Sequence, residues 1–124
     1  MELEQKDLTA KVIGAAIEVQ RVLGIGFLER VYENAMAIEL RRQKIGFEKQ
    51  SNITLFYCNE KVGEHRLDLL IEDQIVVELK AVKVVTPEHF AIVRSYLRAA
   101  QRKHGLLLNF GKLPLGINRV IADS

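Results

Sequence analysis

The chemically suggestive part of this sequence is a charged pair inside an apolar stretch, Ile75–Val82, which reads IVVELKAV. Successive side chains of a β-strand point to opposite faces, so Glu78 and Lys80 share one face of the strand. Leu79 lies on the other face, with the apolar residues that pack into the core. The alternation therefore predicts a buried strand that presents a carboxylate and an ammonium group side by side.

A second carboxylate is brought next to this pair by the preceding hairpin. The polar trio Glu72-Asp73-Gln74 separates two apolar runs, which predicts a turn between antiparallel strands. Folding the hairpin about Asp73 sets Asp68 opposite Glu78, and directly opposed residues have Cβ atoms roughly 4.5–5.5 Å apart. A divalent cation would join two such carboxylates. Oxygen-only ligands favour Mg²⁺ or Mn²⁺, which can activate a water against a phosphoryl group.

A salt-bridged patch on a solvated face is the alternative interpretation of Asp68, Glu78 and Lys80. A further acid bears on this choice. Helical spacing places Glu29 between Met36 and Leu40 inside the apolar arc of the second helix, where an unpaired carboxylate is costly. A metal ligand at this position would account for it. Otherwise, Glu29 stays half-exposed at the helix N-terminus, where the helix dipole favours it.

The elements that would position these residues follow from periodicity and from turn and capping residues. Gly24, Gly46 and Gly105 are predicted to end the three helices, Asn59-Glu60 to form a turn, and Thr86-Pro87 to start the third helix. The predicted order is α-α-β-β-β-α-β-β, an α/β domain with a three-stranded meander followed by a crossover. The predicted ranges are helices over 8–23, 27–44 and 86–103 and strands over 48–57, 62–71, 75–82, 106–108 and 119–121.

Length and composition limit the class of protein. The chain has 124 residues, which predicts one domain over 1–124 with a real core. A net charge of +2 is too small to indicate nucleic-acid binding by itself. We expect no membrane span, and the charged start MELEQKD lacks the order of a signal peptide. The single cysteine, Cys58, favours a reducing, cytoplasmic location.

A row of arginines on the third helix could follow a nucleic-acid backbone. Arg94, Arg98 and Arg102 lie at successive i, i+4 positions of the predicted helix and form one basic stripe. A merely solvated helix face is the alternative. Arg66, close to Asp68 in sequence, could add positive charge near the site.

Four motifs in order carry a resemblance to a known family. Gly26-Phe-Leu-Glu29-Arg-Val-Tyr32 fits Gly-x-x-Glu-x-x-Tyr, and it is followed by HRLDLLI around Asp68, by VVELKAV and by GLLLNFG. Over about residues 8–120 the chain resembles the GxxExxY family, which is placed in the PD-(D/E)xK nuclease superfamily.

The resemblance implies a fold, an activity and a set of site residues. The fold would be a restriction-endonuclease-like αβββαβ core, with a mixed central sheet flanked by helices and an extra N-terminal helix. The activity would be Mg²⁺-dependent cleavage of DNA. Glu29, Asp68 and Glu78 would be the acidic metal ligands, the Leu79 carbonyl a further ligand, and Lys80 the catalytic lysine.

The third helix departs from the pattern of related nucleases. Exonuclease-type relatives often carry Gln-x-x-x-Tyr, whereas this chain has Ile92 in place of the glutamine and retains Tyr96, a further candidate contact to nucleic acid. Three hypotheses therefore stand. They are a metal-dependent nuclease, a non-catalytic nucleic-acid-binding or regulatory module on the same fold, and a protein-interaction subunit that could form a homodimer.

Overall fold

The computed structural model describes residues 5–122, which form helices and strands in the predicted order. Residues 1–4, part of the start for which no signal peptide is predicted, lie outside the described residues, as do 123–124. Within 5–122, no helix is both long and apolar enough to cross a bilayer. The elements are α1 (Gln5–Leu23), α2 (Glu29–Arg42), β1 (Phe47–Tyr57), β2 (Glu60–Ile71), β3 (Ile75–Lys80), α3 (Pro87–Ala100), β4 (His104–Asn109) and β5 (Gly116–Ile121).

The five strands form one mixed sheet in the order β1-β2-β3-β4-β5. Strands β3 and β4 are parallel and are joined through α3, whereas the other neighbouring strands are antiparallel. A parallel pair needs a crossover connection, and the helix predicted between these two strands supplies it. The predicted α/β class, mixed sheet and extra N-terminal helix are confirmed.

Each face of the sheet packs against helices. On the face that we call the α1/α2 face, Val77 and Leu79 of β3 join the apolar arcs of the first two helices in one buried cluster. On the opposite face, the α3 face, Val76 packs with Val93 and Leu97 of α3. The predicted alternation along β3 is therefore confirmed, and it places Glu78 on the α3 face of the strand.

The predicted end of the third helix is wrong by three residues. The helix stops at Ala100 because Gln101 adopts the left-handed conformation, with φ of 56°. Gly105 does not end the helix but lies buried in β4. A Cβ atom there would lie 3.3–3.4 Å from the side chains of Val93 and Leu97. The glycine therefore lets α3 pack close to the sheet.

Two other predicted boundaries also shift. The second helix begins at Glu29 rather than at residue 27 and ends at Arg42, four residues before Gly46. The β1–β2 turn is formed by Cys58 and Asn59, both with positive φ, one residue before the predicted Asn59-Glu60 turn.

Candidate functional site

The candidate site lies where β2 and β3 separate. Their pairing runs from Ile71↔Ile75 to Leu69↔Val77, which confirms the predicted register. At the next position, side chains replace the backbone ladder. The Asp68 backbone N–H donates to Oε1 of Glu78 at 3.3 Å, and the Leu79 N–H donates to Oδ2 of Asp68 at 2.9 Å. The two carboxylates therefore span the gap between the strands in a crossed arrangement.

An irregularity in β2 turns Asp68 into this gap. Leu67 packs in the cluster on the α3 face, while Leu69, two residues later, packs on the α1/α2 face. A regular strand would place both on one face. The neighbouring β1 ladder also skips a pair here, because Gln50 has φ of 56°. The alternation of side chains between the two faces of the sheet therefore breaks at Asp68. Its carboxylate lies in the gap between β2 and β3 and not on either face.

Glu78 is a buried acid with a strongly perturbed proton affinity. Its relative exposure is 7%. Burial, followed by the nearby Asp68 carboxylate, raises the pKa of Glu78 to about 9, while the Asp68 backbone N–H and the Lys80 ammonium oppose the shift. In the absence of a cation, the Glu78 carboxyl therefore keeps its proton at neutral pH. A divalent cation between the carboxylates would take the place of that proton.

The donor set fits a hard divalent cation. Asp68 and Glu78 offer carboxylate oxygens, the kind of ligand that Mg²⁺ and Mn²⁺ prefer. Within residues 5–122, no three His, Cys, Asp or Glu side chains lie close enough together to hold an ion. The hydrogen bonds between the strands bring the Asp68 and Glu78 carboxylates together, whereas the predicted third acid, Glu29, is not clustered with them.

Glu29 lies at the mouth of a cleft and not inside the apolar arc. It is exposed and is the first residue of α2, so the placement inside the apolar arc is wrong and the alternative, a carboxylate at the helix N-terminus, agrees with the structure. The arc that contacts the core begins one turn later, at Tyr32. Glu29 nevertheless shares with Asp68 and Leu79 a cleft of about 390 Å³, which we call the acidic cleft. The helix start therefore brings the third acid towards the pair from the other wall.

The loop before α2 is fixed by the tyrosine of the Gly-x-x-Glu-x-x-Tyr motif. The buried Tyr32 hydroxyl donates to the Gly24 carbonyl at 2.7 Å and accepts from the Phe27 N–H at 3.3 Å. Its ring stacks on Phe110 at 4.6 Å between centroids. Gly26 has φ of +109°, a conformation that disfavours a side chain. Glycine and tyrosine therefore set the entry of the helix that carries Glu29.

Contacts between β1 and α2 close the other side of the acidic cleft. The Lys49 ammonium donates to Oδ1 of Asn34, and the Gln50 amide donates to Oε1 of Glu33. These four residues line the cleft together with Arg30. Sequence reasoning did not find this wall. Its signal is the polar run EKQSN in β1, which departs from the apolar alternation of the rest of that strand.

Lys80 ends β3 beside the acid pair. It is half-buried, and its ammonium is one of the groups that act on the pKa of Glu78. Its carbonyl accepts the Phe110 N–H at 2.8 Å, which anchors the strand end. Asp68, Glu78 and Lys80 are thus brought to one end of β3, as predicted from the hairpin. Their chemical roles stay predictions.

A stacked pair of rings lies on the α3 side of the acids. The rings of His65 and Tyr96 are 3.6 Å apart and inclined by 20°. The pKa of Tyr96 is raised by burial and by the Glu78 and Asp68 carboxylates, so its hydroxyl lies within their electrostatic reach. Nε2 of His65 is buried and has no hydrogen-bond partner among the described residues. This stacking depends on tertiary packing and leaves no periodic trace in the sequence.

The predicted basic stripe is shorter than three arginines. Arg94 and Arg98 lie on α3, whereas Arg102 follows the end of the helix. Its guanidinium binds the Asp73 carboxylate at 2.6 Å and the Asp73 carbonyl at 2.9 Å. The helix-based placement of Arg102 is therefore wrong, because the residue fastens the β2–β3 turn to the end of α3. Arg66 is exposed on β2.

Comparison with known proteins agrees with this architecture. Residues 6–120 match the model of the PD-(D/E)XK nuclease superfamily, and the chain belongs to that superfamily. The crystal structure of a protein named SSO0001 has the same fold, with a TM-score of 0.61 at 15% identity over 77% of this chain. The match spans 51%, about half, of that protein's length. No curated protein matches the sequence.

Proposed function

We propose that this protein is a Mg²⁺- or Mn²⁺-dependent nuclease that hydrolyses DNA phosphodiester bonds. The observation that carries the proposal is the crossed pairing of Asp68 and Glu78 at the separation of β2 and β3, next to Lys80. Membership of a nuclease superfamily supports the same chemistry.

Each residue has a role in this proposal. Asp68 and Glu78 hold the cation with their carboxylates, the Leu79 carbonyl is a further ligand, and Glu29 reaches the ion from across the acidic cleft. The bound cation would stabilise charge on the phosphoryl group and lower the pKa of a water. Lys80 holds the attacking water or neutralises the transition state. We infer that the Gly26–Tyr32 motif marks the GxxExxY family and sets the position of Glu29.

The positively charged and aromatic residues near the site contact the DNA in this proposal. Arg94 and Arg98 on α3, with Arg66 on β2, bind phosphates, and Tyr96, which lies within electrostatic reach of the acids, is a further contact to the nucleic acid. Arg102 is the weakest candidate for a phosphate contact, because its guanidinium is already paired with the Asp73 carboxylate. We extend the proposal to a cytoplasmic location, which the exposed free thiol of Cys58 supports.

The test is cleavage of DNA by the purified protein with Mg²⁺ or Mn²⁺. Glu78→Ala and Lys80→Ala should each abolish cleavage, while circular dichroism shows the fold retained. Glu60→Ala is the matched control, since Glu60 is exposed at the far end of β2 and should leave the rate unchanged. Cleavage that persists in both site variants would come from a contaminating enzyme and would end the proposal.

A catalytically inactive nucleic-acid-binding module is the second candidate. Ile92, which stands where related nucleases carry glutamine, is 44% exposed on α3, one turn before Tyr96. An apolar side chain there offers no hydrogen bond to a phosphate or to a metal-bound water. DNA binding that survives chelation, without turnover, would favour this candidate. A protein-interaction subunit or homodimer stays a third hypothesis, favoured if calorimetry detects no metal binding.

A further inference from the structure

A second cavity, of about 280 Å³, lies beyond the C-terminal end of β3. We call it the basic pocket. None of its described lining residues is acidic, and neither of its two exposed lysines belongs to any of the ion pairs formed within 5–122. Two unpaired ammonium groups around one small cavity attract an anion. The charged, polar and aromatic lining consists of Lys83, Phe90, Asn109, Lys112 and Asn118.

The backbone that carries the two lysines is held in place. The buried Asn109 side chain accepts from the Val82 N–H at 3.0 Å and donates to the Val82 carbonyl at 2.8 Å, directly before Lys83. Gln20 of α1 donates to the Lys112 carbonyl at 2.7 Å. These contacts fix both lysine backbones before any ligand arrives, so less ordering entropy is lost when a ligand binds.

Gly116 leaves room in the pocket. Its φ is not positive, so the backbone conformation does not require glycine. A Cβ atom at this position would lie 3.0 Å from Cβ of Asn109 and 3.5 Å from Cδ of Lys112. The missing side chain therefore keeps the space beside Lys112 open. At about 280 Å³, the cavity suits a small polar group better than a drug-sized ligand.

We propose that the basic pocket binds a phosphate group of a nucleic-acid strand, with the ammonium groups of Lys83 and Lys112 as its charge partners. Lysine binds phosphate as a point charge with three donors. The Asn118 amide adds a donor, since it makes no hydrogen bond within the described residues. The identity of the ligand rests on the proposed function, but the binding step does not depend on catalysis.

The distance to the acid pair suits one continuous strand. Lys83 follows Glu78 by five residues, and five extended residues span at most about 18 Å. Along duplex DNA, one strand places a phosphate about every 3.4 Å of helix axis. A strand whose reacting phosphate lies at Asp68 and Glu78 can therefore place another phosphate, a few nucleotides away, in the basic pocket.

The test is fluorescence anisotropy with a short labelled single-stranded oligonucleotide, in EDTA so that cleavage plays no part. In the double variant Lys83→Gln/Lys112→Gln, affinity should fall by at least about tenfold. The slope of log K against log salt should become shallower by about 0.7, as expected for one lost phosphate contact on a single strand. Lys11→Gln/Lys103→Gln is the matched control, because both lysines are exposed away from the pocket and should leave binding unchanged.

Two further comparisons identify the source of the phosphate. If a 5′-phosphorylated oligonucleotide binds at least about tenfold more tightly than its 5′-hydroxyl form, the pocket holds a terminal phosphate. If the two bind equally and the double variant still weakens both, it holds an internal phosphodiester. An unchanged salt slope in a folded double variant overturns the proposal, whether or not the protein cleaves DNA.

Discussion

The acidic cleft and the basic pocket lie at successive positions along the β3 segment, yet they hold charge in opposite ways. Asp68 lines the cleft and meets Glu78, which is buried on the α3 face of β3 and whose proton affinity is strongly raised. In the pocket, Lys83 and Lys112 reach solvent, and their backbones are fixed by neutral side chains. The first region brings two acidic groups together at a buried position, whereas the second exposes two ammonium groups on a backbone that is held in place.

This difference shows what each region requires of a ligand. A buried carboxylate beside a second, half-buried one is stable only if a proton or a cation joins the two. Two exposed ammonium groups cost the fold little, because water and salt screen them. Changes in the cleft should therefore alter stability and function together, whereas changes to the lysines should alter binding alone.

The largest expected effect is that of Glu78→Gln. Loss of a carboxylate ligand should lower the cleavage rate at least about a hundredfold. The same substitution should stabilise the cation-free protein at pH 8, because it replaces an acid that resists ionisation when buried. Thermal unfolding in EDTA measures the second effect, and Mg²⁺ or Mn²⁺ should raise the melting temperature of the wild type but not of the variant.

The raised pKa of Glu78 also predicts how the stability of the cation-free protein changes with pH. Between the ordinary pKa of 4.5 and the folded value of about 9, the folded state keeps a proton on Glu78 that the unfolded state has lost. The free energy of unfolding should then fall as pH rises through this window, by up to about 1.4 kcal/mol per pH unit. Glu78→Gln should remove that slope and Glu60→Gln should keep it. Parallel profiles for wild type and Glu78→Gln would contradict the prediction.

The next largest effect tests the support of the basic pocket. In Gly111→Ala, the new Cβ would lie 2.5 Å from the backbone N and O of Val82, which the Asn109 side chain of β4 holds in place. We expect a loss of about 1–3 kcal/mol in the free energy of unfolding. Gly14→Ala is the matched control. Apart from its chain neighbours and the backbone of its own helix, no atom lies within 4 Å of its Cβ, so the substitution should stabilise α1 by about 0.5–1 kcal/mol. If denaturant titration finds the same change in the free energy of unfolding for Gly111→Ala and Gly14→Ala, the close approach of Gly111 to the Val82 backbone is contradicted.

The order of elements and the hairpin register could be predicted because they depend on local chemistry. The loop between the paired Ile71 and Ile75 is the predicted polar trio, and Glu72 and Asp73 in it have positive φ, at 50° and 55°. Once that turn is fixed, arithmetic alone places Asp68 opposite Glu78. The alternation along β3 likewise requires nothing beyond the two-residue period of a strand.

The failures arise where the answer depends on distant atoms. The apolar arc of α2 could not predict the exposure of Glu29. That exposure depends on how far the sheet extends under α2, which the helix sequence does not determine. Gly105 was predicted to end a helix, but the glycine is required by the close approach of α3 to β4. The break of alternation at Asp68 accompanies the positive φ of Gln50 in a neighbouring strand.

A smaller effect is expected from Tyr32→Phe, which tests how the cleft is supported. The variant removes the hydrogen bond to the Gly24 carbonyl while keeping the ring stacked on Phe110. We expect about 1 kcal/mol lower stability and weaker Mn²⁺ binding by calorimetry, because Glu29 loses its fixed helix entry. Tyr57→Phe, at an exposed tyrosine, should change neither quantity. If the Mn²⁺ affinity of Tyr32→Phe is unchanged, Glu29 is not a ligand of the metal.

The smallest effects distinguish two arginines that the sequence places in one stripe. Arg102→Gln should lower the free energy of unfolding by about 0.5–1 kcal/mol, because it loses the partly exposed ion pair with Asp73. It should leave DNA affinity almost unchanged. Arg98→Gln, at an exposed position on α3, should do the reverse and make the salt slope of DNA binding shallower by about 1. If Arg102→Gln weakens DNA binding as much as Arg98→Gln does, then Arg102 must release Asp73 when DNA binds, and the basic surface extends past the end of the helix.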